Sequence, residues 1–156
     1  MRSSAKVLLV NEGKVLLNRC RWENSGDVYY DLPGGGQHQY ESLEEAAVRE
    51  VKEETGYNAE ILRFAALCEE ICIDEELREK YPEYCHRLAS IFIAKIVGHE
   101  KTEVSEMDYQ QEESLWVEIT EADSLPVFPK QLRGKIAELI SGDKAMYLGC
   151  CYEAES

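Results

Sequence analysis

Glu50, Glu53 and Glu54 are the residues of this chain best placed to do chemistry together. On a helix, Glu50 to Glu53 is i,i+3 and Glu50 to Glu54 is i,i+4, so the three carboxylates share one face. Like charges at those spacings cost roughly 0.2–0.5 kcal/mol per pair. They also raise one another's proton affinity, an effect a bound cation reverses. Hard divalent cations such as Mg²⁺ take oxygen ligands and suit such a cluster. Just upstream run Leu32, Pro33, Gly34, Gly35 and Gly36. Adjacent glycines adopt backbone shapes closed to other residues and let main-chain groups approach a ligand. Carboxylates behind a glycine loop imply metal-dependent chemistry on phosphate oxygens.

The elements that must position these groups can be read locally. Ser42 and Glu45 form an S-x-x-E capping box, and Gly56 is a C-terminal stop, so a helix spans the intervening residues. Val48, Val51 and Thr55 share a side that should face a sheet. Leu43, Ala46 and Ala47 fall on the acidic side, where small residues leave room for a ligand. Arg49 stands i,i+4 from Glu53, close enough to orient it. Before this helix, residues 4–10 and 14–20 flank Asn11-Glu12-Gly13 as a β-hairpin, and Val28–Leu32 is a strand ending at Pro33. Trp22–Asp27 is a polar loop.

After the helix, residues 59–73 favour strand, although helical periodicity competes. Residues 74–86 read as an inserted short helix plus loop, and Leu88–Val97 as a strand. Residues 98–114 read as a long acidic loop holding Glu100, Glu103, Glu106, Asp108, Glu112 and Glu113. Leu115–Ile119 is a strand, a helix is expected at about 130–140, and a last strand at 145–151.

Length and composition bound the rest. A chain of 156 residues, 44% apolar and 31% charged, fits one soluble domain over 1–156. No apolar run is long enough to span a bilayer, and the N-terminus lacks a cleavage site, which points to the cytoplasm. With 31 acidic against 17 basic residues the formal charge is −14, which argues against gripping a nucleic-acid backbone. Small anionic substrates stay compatible with it, because a bound metal inverts the local field. Six cysteines, at 20, 68, 72, 85, 150 and 151, read as free thiols. A zinc set of Cys68, Cys72, Cys85 and His86 lacks a C-x-x-C pair and falls partly on strand.

Residues 35–57 resemble the signature of the Nudix hydrolases, G-x5-E-x7-R-E-U-x-E-E-x-G-U, with U a bulky apolar residue. Gly35, Glu41, Arg49, Glu50, Val51, Glu53, Glu54 and Gly56 occupy its positions, and Tyr57 departs from the usual aliphatic. The resemblance implies an α/β fold, a Nudix-like α/β/α sandwich with a mixed β-sheet between helices. It implies hydrolysis of a pyrophosphate bond in a nucleoside diphosphate derivative or nucleoside triphosphate, by water attack on phosphorus. By position, Glu50, Glu53, Glu54 and the Gly34 carbonyl would ligate Mg²⁺ or Mn²⁺. Gly35 would position the loop and a water, Arg49 would hold a motif glutamate, and Glu41 would support from outside. The general base is Glu50 in some members and a later loop acid in others, for which Glu112 and Glu113 are candidates, also as metal ligands.

Substrate contacts are expected from Trp22 and Tyr29, whose rings can stack on a base, and from Gly35, Gly36 and His38. Tyr30 and Tyr40 could also reach a ligand. Tyr81, Tyr84, His86 and Arg87 could cap the pocket or mediate a homodimer. Residues 72–75, Cys-Ile-Asp-Glu, carry no subfamily marker. Cleansing of non-standard nucleoside triphosphates is the first expectation and ADP-ribose or another sugar nucleotide the second. A non-catalytic nucleotide-sensing module is a third, opposed by the intact carboxylates.

Overall fold

The computed structural model describes residues 1–107 and 109–153; Asp108, one of the loop acids, lies outside the described residues. Strands β1 (Arg2–Asn11) and β2 (Lys14–Arg21) meet through Glu12-Gly13, both at positive φ. That backbone matches strand twist and makes a tight reversal. The hairpin is shorter than its pattern suggests. Only Val10↔Val15 and Asn11↔Lys14 pair before the strands part. β1 then runs parallel to a distant strand, while β2 pairs elsewhere.

The chain continues through β3 (Val28–Asp31), β4 (Gly34–Gly36), α1 (Leu43–Thr55), β5 (Tyr57–Cys72) and α2 (Glu75–Lys80). A 3-10 turn, Pro82–Tyr84, leads into β6 (His86–Lys101). Then come β7 (Gln111–Glu118), α3 (Ile119–Ala122), β8 (Val127–Phe128), a second 3-10 turn, α4 (Ile136–Ser141) and β9 (Met146–Glu153). The main sheet path is β8-β3-β2-β1-β6-β5-β9, with β4 on β1 and β7 on β2. β1–β6, β5–β9 and β3–β8 are parallel and the remaining pairs antiparallel, so the sheet is mixed.

Helices cover both faces, which explains why β1 reads Val7-Leu8-Leu9 without alternation. Val7 and Leu9 face Ala46, Ala47 and Val51 of α1. Leu8, with Val15 and Leu17, faces Ala122, Leu132, Ile136 and Leu139 on the other side. Each fully buried leucine there is worth about 1.5–3 kcal/mol. This is the expected α/β/α sandwich around a mixed sheet. Among the described residues no helix is long and apolar enough to cross a membrane.

The strand favoured over residues 59–73 stands, and three other expectations are revised. Residues 57–72 are strand throughout, its length accommodated by three register shifts against β6. The acidic loop is shorter than 98–114: β6 continues to Lys101 and β7 begins at Gln111, so Glu112 and Glu113 are strand residues. The helix expected at 130–140 is a 3-10 turn followed by α4, separated at Gly134, where φ is +75°. Ala46 and Ala47 do not make room for a ligand. They are fully buried and let α1 approach the sheet, whereas Val48 is only half-buried.

Gly56 ends α1 in the left-handed region, and a Cβ there would stand 2.1 Å from the Thr102 carbonyl oxygen. The helix stop and the following loop thus depend on one missing methyl. Gly56→Ala should lower stability by about 2–3 kcal/mol, more than the left-handed conformation costs an alanine alone. Urea unfolding reads this; a loss below about 0.5 kcal/mol would show that loop and cap adjust independently.

Candidate active site

The site grows from the geometry of α1's first residues. The Ser42 hydroxyl accepts from the Glu45 backbone N–H, and the Glu45 carboxylate accepts from the Ser42 N–H, so the capping box is closed. With its start and stop pinned, the helix holds Arg49, Glu50 and Glu53 along one edge. Glu54 lies on the sheet-facing side instead, only 3% exposed.

Arg49 organises the edge. Its Nε and Nη2 donate to the two Glu41 oxygens at 2.6 and 3.0 Å, a bidentate pair. Nη1 donates to Glu50 at 2.9 Å and to Glu53 at 3.1 Å, and Nη2 also reaches the Gly36 carbonyl at 3.0 Å. Glu41 additionally accepts from the His38 backbone N–H. The Arg49 guanidinium, then that N–H, hold the Glu41 carboxyl down to about 2, and the pairing pushes Arg49 further up.

Glu54 is held differently. Its Oε2 accepts from Asn18 Nδ2 at 3.2 Å and from the Gly34 backbone N–H at 2.9 Å. Asn18 is itself buried and accepts from the Ser114 hydroxyl, linking β7 to β2 and α1. β4 lies antiparallel to β1, opposing Gly34, Gly35 and Gly36 to Lys6, Ala5 and Ser4. This register explains two glycines. At Gly34 (φ +140°) a Cβ would strike the Ala5 carbonyl, and at Gly35 one would stand 2.7 Å from the Glu50 carboxylate. The Gly34 carbonyl accepts from Lys6 Nζ, which also pairs with Asp31.

The loop at 102–107 folds back onto the end of α1. Ser105 and Glu106 N–H groups both donate to the Glu53 carbonyl, and Thr102 N–H to the Gly56 carbonyl. These are helix-terminal acceptors that need outside donors. The contact brings Glu106 to a recess of about 550 Å³ that Arg49, Glu50, Glu53 and His38 also line. A larger cleft of about 960 Å³ adjoins it, sharing Arg2 and Gly36 as wall. Trp22 and Tyr29 stand in that cleft, stacked on each other with ring centres 4.2 Å apart, and Phe128 meets both edge-on.

Most of the expected site residues therefore gather here. Glu41, Arg49, Glu50, Glu53, Glu54 and the three glycines form one cluster, and Trp22 and Tyr29 line the adjoining cleft. His38 contributes its backbone to Glu41, while the residue is exposed at the recess rim. Glu112 and Glu113 are not brought to the cluster. They pair with Arg21 and Arg19 across β2 and line neither cavity, because strand pairing sets their carboxylates opposite arginines. The six cysteines form no disulfide among the described residues, and His86 pairs with Glu69.

Lys6, Asn18 and Phe128 are participants that sequence reasoning did not single out; Glu106 is one of the expected loop acids, and it is this one rather than Glu112 or Glu113 that reaches the recess. Lys6 and Asn18 are polar residues inside apolar strand runs, a signal that was open to reading.

The donor set fits a hard divalent cation in kind, since every group offered is a carboxylate or carbonyl oxygen. It fits in charge as well: Glu41, Glu50 and Glu53 share one guanidinium, an excess of two negative charges. Among the described residues no three acidic, histidine or cysteine side chains converge as a finished cage. Arg49 Nη1 bridges Glu50 and Glu53 in the arrangement seen.

The NUDIX domain model matches residues 1–139. A candidate 8-oxo-dGTP diphosphatase of Bacillus subtilis (strain 168) is 49% identical over 55 residues, 35% of this chain and 35% of that one. Nudix hydrolase 10 of Arabidopsis thaliana is 26% identical over 125 residues, 78% of this chain and 41% of its own length. The chain thus spans well under half the length of these curated relatives. The structure of the MutT protein from Bacillus halodurans superposes with a TM-score of 0.70 at 19% identity, covering 99% of this chain and 91% of that one. At that identity the likeness is one of fold.

Two expectations follow from the hydrogen bonds. Asn18→Leu should cost about 2–3 kcal/mol, because it leaves the buried Glu54 carboxylate short of a donor; an unchanged thermal midpoint would contradict this. For Glu41, a carboxyl of lowered pKa stabilises the fold above its unfolded value of 4.5, and loses that contribution as pH falls through about 2. Glu41→Gln should therefore be less stable than wild type at pH 7, with the gap narrowing toward pH 2.5. Urea midpoints across that range test it, and a gap independent of pH would count against the pairing.

Proposed function

The chain belongs to the NUDIX domain family, and on that premise we propose that it hydrolyses a pyrophosphate bond in a nucleoside triphosphate or nucleoside diphosphate derivative, water attacking phosphorus. The observation that carries the reading is Arg49 gathering Glu41, Glu50 and Glu53 in a recess that adjoins an aromatic-walled cleft. Glu50, Glu53, Glu54 and the Gly34 carbonyl would hold Mg²⁺ or Mn²⁺, which supplies charge neutralisation and a more acidic water when bound.

The chain's own residues do the rest. Glu41 fixes Arg49, and Arg49 sets the rotamers of Glu50 and Glu53, so the carboxylates are positioned before substrate arrives. Gly35 leaves the space that the Glu50 carboxylate fills. Glu50 and Glu106 are the groups we assign to proton removal from water, since both line the recess. Trp22, Tyr29 and Phe128 offer aromatic surface for a nucleobase. Cleansing of a non-standard nucleoside triphosphate is the first reading, in keeping with the name of the Bacillus subtilis relative.

A sugar nucleotide of the ADP-ribose type is the second. Glu69, Glu70 and Gln131 along the cleft are polar groups suited to sugar hydroxyls. The intact carboxylate set supports an enzyme over a sensing module. Six cysteines without a disulfide among the described residues suit a reducing, cytoplasmic setting.

A panel including 8-oxo-dGTP, dGTP and ADP-ribose, with product identification, separates these substrates. Chelation should abolish turnover and Mg²⁺ restore it. Glu53→Gln should lower kcat by roughly 10²-fold or more while the fold persists by circular dichroism. Turnover equal to wild type would make the carboxylate assignment wrong.

A further inference from the structure

Arg2 stands where the two cavities meet, lining both. Its guanidinium lies over the Tyr84 ring, 4.8 Å from the centroid. It also lies beside Gly36, where an added Cβ would come within 2.7 Å of Nη2. Gly36 is not one of the invariant positions of the motif, so this contact supplies a reason for a glycine there. Arg2, Ser4 and Lys6 alternate along one face of β1 and all line the cleft, as a period-two strand requires. Their engagements differ. Lys6 pairs with Asp31, and Arg87, which opposes Arg2 across the parallel ladder, pairs with Glu70. Among the described residues no carboxylate pairs with Arg2.

We propose that Arg2, braced between the Tyr84 ring and Gly36, binds the phosphate of the substrate that is not attacked, with Tyr84 as its positioning residue. The proposal rests on the pyrophosphohydrolase reading of the neighbouring carboxylates. A pyrophosphate reaching from the recess into the cleft passes the wall that Arg2 and Gly36 form. A planar guanidinium offers paired N–H donors matched to phosphate oxygens. Stacking on an aromatic face holds the guanidinium without using those in-plane donors. The 3-10 turn Pro82–Tyr84 thereby becomes part of substrate selection, and the surface tyrosine acquires a function within one chain.

The test uses the full chain with Mg²⁺ and methylenediphosphonate, a pyrophosphate whose bridge cannot be hydrolysed and which carries no base. Calorimetry should give a Kd roughly ten- to a hundred-fold weaker for Arg2→Met, which keeps the stem packing and removes the charge. The salt dependence of binding should become shallower in that variant. Tyr84→Leu should weaken binding several-fold and Tyr84→Phe by less than about twofold, since the ring rather than the hydroxyl carries the contact. Gly36→Ala should imitate Arg2→Met, because the flexible guanidinium moves before the backbone does.

An Arg2→Met affinity equal to wild type, or no binding by wild type, overturns the clamp. Equal effects of Tyr84→Leu and Tyr84→Phe overturn the positioning role. Binding that weakens as expected while no nucleotide of the panel is turned over upholds Arg2 and removes the hydrolase reading, so the two can fail separately.

Discussion

One guanidinium among three carboxylates is the interaction on which the rest of the site depends. Arg49 makes five hydrogen bonds, four to Glu41, Glu50 and Glu53 and one to the Gly36 carbonyl. Without it the carboxylates would repel at helical spacing and spread into solvent. A lysine could not replace it, because one point charge cannot reach a bidentate partner, two further acids and a carbonyl together. The same excess of negative charge that makes the cluster locally costly makes it receptive to a cation.

The scaffold exists to keep that arrangement in register. β1 is the central strand: it carries β4 and its glycines on one edge, β6 on the other, and α1 across one face. Burial of Ala46, Ala47 and Val51 brings the helix close, and Asn18 anchors Glu54 at the point of contact. Buried polar groups of this kind are costly if unpaired, so Asn18, Ser114 and the Gly34 N–H form a set that stands or falls together. The loop after β6 closes the other end through helix-terminal carbonyls. Stability and site geometry thus draw on the same hydrogen bonds.

Local chemistry was legible wherever neighbours in sequence are neighbours in space. The capping box, the Gly56 stop, the Arg49–Glu53 spacing and the tight turn at Glu12-Gly13 are all of this kind, and each stands as its residues imply. Legibility failed where a residue's role is assigned by a partner far along the chain. Glu112 and Glu113 looked like loop acids because charge dominates their surroundings, yet pairing with β2 draws them into strand beside Arg19 and Arg21. Ala46 and Ala47 looked like space beside a ligand, and the approach of the sheet made them core. Trp22 and Tyr29 were identifiable as rings able to stack on a base, whereas their stack with each other and their contact with Phe128 were not.

What the sequence by itself determined is the reaction centre. Its glycines, Arg49 and glutamates lie within 23 residues, and helix periodicity alone brings Arg49, Glu50 and Glu53 to one edge. What only the tertiary structure decided is everything that the centre faces. Glu106, Asn18, Lys6 and Arg2 reach it from strands and loops tens of residues away, because β1 pairs in parallel with β6 and the chain must cross over between them. Such long-range pairing depends on burying both faces of one sheet at once, a property of the whole core that no short window of residues contains.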